Sequence, residues 1–165
     1  MQGIYFFEER YDIDTIKRNF DFYEAMTVHE SSLSPCVHTI LASKLGYKEK
    51  SYELYLRTAR LDLDDYNDEV HQGLHITSMA GTYLSVVEGF GGMRVKDGNI
   101  YFNPFIPTQW KSYSFIVKFR GNLLKVEIDK EKITVFNQNE GKQKVFIKEI
   151  EYEIEERKSI EIYYN

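Results

Sequence analysis

Three serines and a histidine carry the chemistry that this sequence can most readily do. In Val28-His29-Glu30-Ser31-Ser32-Leu33-Ser34-Pro35, Ser31, Ser32 and Ser34 stand directly before a helix that Pro35 opens. Proline suits the first helical position because the N–H it lacks would have no partner there. Ser34 reads as the N-cap, which leaves Ser31 and Ser32 in the preceding loop. A helix N-terminus presents free N–H donors and the positive end of the dipole, so it favours an anion such as phosphate. Gly73-Leu74-His75-Ile76 repeats the arrangement at a second helix start. His75 can donate to an oxyanion, and Gly73 permits close backbone approach. If the two helices are neighbours, their starts can converge on one phosphate. Taken singly, each stretch has a plainer reading, in which the serines cap a helix and the histidine packs.

Other chemistries find less support. His29 and Glu30 form an acid/base pair only in name, since adjacent side chains point apart. With 26 acidic residues, a carboxylate pair for glycosidic chemistry cannot be chosen by spacing. The chain has no Gly-x-Ser-x-Gly elbow for a serine nucleophile and no Cys/His cluster with zinc spacing. Asp62, Asp64 and Asp65 are acidic enough for a divalent cation. They lack the ligand spacing and central glycine of a calcium loop, so turn and capping roles come first. Trp110 reads as a sugar platform or, more simply, as a core anchor.

The elements that must position these residues fall into two halves. Asp12 or Asp14 starts a helix to Tyr23, with Ile13, Ile16, Phe20 and Tyr23 near a 3.6-residue period. Further helices are expected over 35–45, 48–61 and 74–90, the second with Tyr52, Leu56, Ala59 and Leu63 as its inner stripe. The last places small residues, Ser78, Ala80, Gly81 and Ser85, where a neighbouring helix can approach closely. After Gly89-Phe90-Gly91-Gly92 the pattern turns to strands over 93–96, 99–102, 113–119, 123–128, 132–137, 143–147 and 159–163. Hairpin turns are expected at Asp97-Gly98 and Gly121-Asn122. The weak alternation of Ser114 to Phe119 predicts a strand covered on both faces. Helices first and strands second make an α+β chain, divided into 1–92 and 93–165.

A net charge of -5 argues against a nucleic-acid partner. The single Cys36 excludes an internal disulfide and suits a reducing compartment. Met1 to Phe7 is cut off by Glu8, Glu9 and Arg10, unlike a signal peptide, and no apolar run approaches the about 20 residues of a membrane span. The expectation is a cytoplasmic chain with no membrane contact.

Several stretches together resemble glycoside hydrolase family 65. They are His29 to Pro35, Arg57-Thr58-Ala59-Arg60-Leu61-Asp62-Leu63-Asp64-Asp65-Tyr66, Gly73 to Thr82, and Gly89-Phe90-Gly91-Gly92-Met93-Arg94. The likeness is strongest over 27–94 and nearest to the maltose phosphorylase branch, with trehalose and kojibiose phosphorylases close. It implies an inverting reaction, in which phosphate attacks a glucosyl anomeric carbon and β-glucose 1-phosphate forms. A glutamic acid protonates the leaving oxygen. No cofactor is implied, inorganic phosphate being a substrate. The family's phosphate-binding Ser-Ser pair and His match Ser31, Ser32 and His75, and the backbone near Gly73 or Leu74 adds a donor.

The resemblance also implies what these residues do not contain. They look like the last helices of a six-over-six α/α barrel followed by a small antiparallel β-sandwich or sheet domain. Neither the family's catalytic glutamate nor its glucose-contacting Lys-Gln pair has a counterpart, so no catalytic residue is assigned. The expected product is a C-terminal portion, inactive alone, that associates with itself or with a separately encoded upstream portion. The alternative is a non-catalytic carbohydrate- or subunit-binding module, or a truncated product.

Overall fold

A computed structural model describes residues 1–66 and 68–164. The chain divides into two compact units, Met1–Gly89 and Phe90–Asn165, three residues before the division expected at Gly92. Phe90 explains the difference. Its ring meets Phe105 at 5.3 Å and Trp110 at 5.2 Å in the second unit's aromatic cluster. The first unit is helical and the second is made of strands, an α+β order.

In the first unit, helix α1 (Gln2–Phe6) is followed by a single 3-10 turn, then α2 (Ile13–Glu24), α3 (Ser34–Lys44), α4 (Lys48–Ala59), the one-turn α5 (Leu61–Asp64) and α6 (Ile76–Leu84). Asp12 starts α2 by accepting the Thr15 N–H at 2.6 Å. From α2, Ile16 and Phe20 reach the core, where they meet Val37, Leu41 and Ala42 of α3 and Leu54 of α4. The outer members of the expected α2 stripe, Ile13 and Tyr23, are exposed. Helix α3 is the centre of the unit, since every residue from Pro35 to Ala42 is buried.

The stripe expected on α4 is displaced. Ser51, Leu54 and Thr58 face inward, while Leu63 is 76% exposed. Hydroxyls can be buried there because each finds an acceptor: Ser51 Oγ lies 3.1 Å from Thr39 O, and Thr58 Oγ1 lies 3.1 Å from Leu54 O. Hydrophobic periodicity cannot see a face built from satisfied hydroxyls. On α6, Ser78 and Gly81 face inward and Ala80 is exposed. A Cβ on Gly81 would stand 3.0 Å from Cys36 Cβ and 3.2 Å from Thr58 Cγ2, so glycine sets how closely α3, α4 and α6 meet. The last turns, Ser85–Phe90, wind as a π-helix. No helix among the described residues is long and apolar enough to cross a membrane.

The second unit carries β1 (Arg94–Lys96), β2 (Asn99–Phe102), β3 (Ser112–Phe119), β4 (Asn122–Asp129), β5 (Lys132–Asn137), β6 (Gln143–Ile147), β7 (Ile150–Ile154) and β8 (Ser159–Tyr163). They form two four-stranded sheets, ordered β1-β2-β6-β7 and β3-β4-β5-β8. All pairs are antiparallel except β2 and β6, which run parallel with Tyr101 opposite Phe146. Leu124, Val126 and Ile128 of β4 and Ile133 and Val135 of β5 are buried at alternate positions. Phe102 and Phe115 bring the sheets together, with ring centroids 6.3 Å apart.

Strand β3 is not covered on both faces. Phe115 is its one buried residue, and Ile116 is exposed. The turn expected at Gly121-Asn122 sits one residue earlier, with positive φ at Arg120 and Gly121. Strand β7 has no counterpart among the expected strands. The turn before it places Lys148 and Glu149, both at positive φ, where such hairpins usually carry Asn-Gly. At Gly92 (φ +59) a Cβ would collide with the Asn103 backbone. Gly92→Ala should therefore destabilise the sheet unit by about 2 kcal/mol or more, read as a lower urea midpoint. An unchanged midpoint would show that the Asn103 segment yields freely.

Candidate functional site

The serine loop is shaped before α3 begins. Leu33 is already helical (φ -90, ψ -26) and takes the N-cap position, with no side chain capping it. Ser34 is therefore not the N-cap. Its hydroxyl lies 2.9 Å from His29 Nδ1, and its N–H donates to Ser31 O at 3.1 Å. His29 itself holds φ at 55, a left-handed conformation that costs a residue with a Cβ.

What holds His29 in that conformation is a buried polar cluster. Its Nε2 lies 3.2 Å from Glu24 Oε1, and His38 Nδ1 bonds the other Glu24 oxygen. The two imidazoles meet edge to face at 4.7 Å. Lys50 Nζ completes the group, 3.1 Å from Glu24 Oε1. Burial raises the Glu24 pKa, but hydrogen bonds from His29, His38 and Lys50 outweigh it and hold the carboxyl well below the usual carboxylate range. Glu24, His29 and His38 each present a possible ligand atom, all within 4.8 Å of one another. The Lys50 ammonium already supplies the positive charge this carboxylate needs, so the cluster works as a hydrogen-bond network. His29 thus pairs with Glu24 and not, as an acid/base dyad, with its neighbour Glu30.

The two helix starts do meet. Ser32 Oγ lies 2.6 Å from Thr77 Oγ1, in the first turn of α6. Thr77 is two residues beyond His75, which occupies the N-cap position of that helix. Ser31 is placed differently: its hydroxyl accepts the Leu33 N–H at 3.4 Å, and it lines a cavity of about 300 Å³ with Thr27, Ser34 and His38. Gly73, at φ 116, takes a conformation that side-chain-bearing residues avoid and turns the chain into α6.

His75 is gripped by the acidic stretch. Asp62 accepts both from His75 Nδ1 at 2.5 Å and from the His75 N–H at 2.9 Å. The Asp62 hydrogen bond raises the imidazole pKa above its ordinary value, and the bonds from His75 lower the Asp62 pKa. The pair therefore favours imidazolium beside carboxylate. Nε2 lies 3.5 Å from the half-exposed Glu69 carboxylate. Asp64 bonds Arg60, and Asp65 Oδ1 accepts the N–H groups of Glu69 and Val70. All three aspartates thus have partners within the fold.

Sequence reasoning missed Glu24, His38, Arg57, Asp62 and Thr77 as parts of this site. Arg57 Nη2 donates to the carbonyls of Val28 and His29, each at 3.1 Å. Asp62 was visible only as one of three clustered acids. The others carry no local signal, because their partners are 5 to 45 residues away along the chain. Trp110 packs against Phe90 and Tyr113, as a core anchor does. Burial pushes the Cys36 thiol up to about 11, so it stays protonated.

Two joined helix starts bring hydroxyls and an imidazole paired with Asp62 to one corner of a helical unit that leads into a sheet unit. The family model of the glycosyl hydrolase family 65 central catalytic domain matches residues 1–84, and that of the family's C-terminal domain matches residues 93–154. The chain belongs to glycosyl hydrolase family 65. It is 52% identical over 133 residues, 81% of its length, to the maltose phosphorylase of Bacillus subtilis. It is 47% identical, over the same share, to the α,α-trehalose phosphorylase of Thermoanaerobacter brockii. A solved structure of a putative kojibiose phosphorylase from the human microbiome superposes on 99% of the chain with a TM-score of 0.92 at 31% identity. The chain spans 18% and 17% of the length of the two curated relatives and 24% of the solved chain.

Proposed function

We propose that these residues supply the phosphate-holding corner of an inverting disaccharide phosphorylase. The Ser32–Thr77 contact carries this reading, because it joins the serine loop to the helix that His75 opens. Inorganic phosphate would be held by Ser31, Ser32, His75 and the backbone near Gly73. It would reach His75 Nε2 in exchange for the Glu69 carboxylate. Asp62 keeps the ring charged and oriented, so the positive charge is in place before the anion arrives. A phosphate oxygen attacks the anomeric carbon opposite the leaving sugar. The glycosidic C–O bond breaks, and the leaving oxygen takes its proton from a general acid outside these residues. Disaccharide and phosphate become β-glucose 1-phosphate and a sugar, with maltose the first substrate to test.

The rest of such an enzyme needs a surface to cover. Phe6, Phe22, Val28, Leu63, Leu74 and Ile76 are exposed on the helical unit, the last at 76%. We assign them to contact with the remainder of the barrel or with a second copy, in a reducing cytoplasm that keeps Cys36 as a thiol. A second reading treats the sheet unit as a carbohydrate-contacting module. It is favoured by a polar cavity of about 580 Å³ that includes Ser114, Glu127, Thr134 and Glu161.

Thermal unfolding with and without millimolar phosphate tests the first reading. The expected result is a higher midpoint with phosphate, absent in Ser32→Ala. Phosphorolysis of maltose is expected from the chain mixed with the upstream portion of a family enzyme, and none from the chain alone. Stabilisation by sugar without any phosphate effect would favour the second reading instead.

A further inference from the structure

The serine loop is held from outside by a cation that no carboxylate among the described residues neutralises. Arg57, on α4, directs one amino group of its guanidinium, Nη2, at the carbonyl oxygens of both Val28 and His29, 3.1 Å from each. Its guanidinium carbon lies 5.8 Å from the Tyr66 ring centroid, beyond the Asp62 segment. Its Nε is buried and finds no acceptor among the described residues. No carboxylate pairs with Arg57 there, although Arg60, one turn later, is fully paired with Asp64. A buried guanidinium donor without a partner is costly, and a guanidinium spent on main-chain carbonyls is worth keeping where the backbone conformation itself matters.

That conformation is the strained one. His29 stands at φ 55, its ring anchored to Glu24 and Ser34 and its carbonyl to Arg57. Ser31 and Ser32 follow within three residues. We propose that Arg57 is a positioning residue for the phosphate loop, acting through the Val28 and His29 carbonyls to fix the direction in which Ser32 leaves the turn. This rests on the phosphate reading for its consequence, but the clamp itself does not. Arg57 touches no reacting atom. Lysine cannot replace it, because an ammonium on a flexible stem lacks the rigid planar group that lies over the Tyr66 ring while bridging two carbonyls.

Two readouts on purified chain separate the clamp from the site. The first is hydrogen exchange over residues 28–34 without phosphate, in wild type and Arg57→Lys. Exchange about tenfold faster in this loop, with α3 and the thermal midpoint unchanged, is the expected result. Unchanged loop exchange overturns the proposal, whatever phosphate does. The second is inorganic phosphate titrated into wild type, Arg57→Lys, Ser32→Ala and the double variant. Each single change should weaken binding by about tenfold, and the double variant little further, because both act through the same serine. Strictly multiplicative losses would overturn the coupling to Ser32. Faster loop exchange in a chain whose wild type does not bind phosphate would support the clamp and sink the phosphate reading.

Discussion

Glutamine in place of Glu24 is expected to lower the stability of the helical unit by about 2–4 kcal/mol. The Glu24 side chain is only 12% exposed, and it accepts hydrogen bonds from His29, His38 and Lys50 at once. Glutamine keeps the volume but presents one oxygen and one amide donor where three donors converge. At least one buried donor is then stranded, and the Lys50 charge keeps only one of its two carboxylate partners, Glu53. Because the group's pKa is depressed in the folded chain, its contribution is fully present above the unfolded carboxylate range and is lost as pH falls through the folded value. Wild type should therefore lose stability on acidification below about pH 4.5. The variant should start lower and change less over that range. Urea unfolding at pH 7 and at pH 4 measures both. Equal midpoints at pH 7 would show that the cluster is not holding the loop and α3 together.

The second large effect is expected at His75. In phosphorylase activity reconstituted with an upstream portion, His75→Ala should lower kcat/KM for phosphate by about 10²–10³, the range typical of losing one donor to a developing anion. Asp62→Asn should fall between this and wild type. It keeps the ring in place through the Asn oxygen but replaces the charged hydrogen-bond partner that raises the His75 pKa with a neutral one. The sign follows from the direction of that shift. Imidazolium is present below the raised pKa and is lost as pH rises through it, so phosphate binding should weaken as pH rises through that value. In Asp62→Asn the decline should begin at lower pH. Steady-state kinetics against pH would show this, and identical profiles for wild type and Asp62→Asn would remove the charge-support role.

How much of this was legible in the sequence depended on the range of each interaction. Asp12 capping α2, the Ile16 and Phe20 core pair, and the Asp97-Gly98 turn are local, and each was readable from its neighbours. The proline start and the glycine at 73 marked both helix starts for the same reason. Where the structure departed, a local rule had met a competing partner. Ser34 gave up the cap because His29 took its hydroxyl. The inner face of α4 carries Ser51 and Thr58 because carbonyls of α3 and of α4's own preceding turn satisfy them. Strand β7 escaped notice because Lys148 and Glu149 occupy a turn that usually advertises itself with glycine.

By itself, the sequence determined the α+β order, the two helix starts and the family likeness, since these depend on residue types and spacings along one stretch of chain. Only the tertiary structure decided that Ser32 meets Thr77, that Asp62 grips His75, and that Glu24 and Arg57 hold His29 from either side. Those contacts join groups brought together by the burial of α3 among its neighbours. Hydrophobic burial determines where they meet, and no pattern along the chain records which polar groups it will leave face to face.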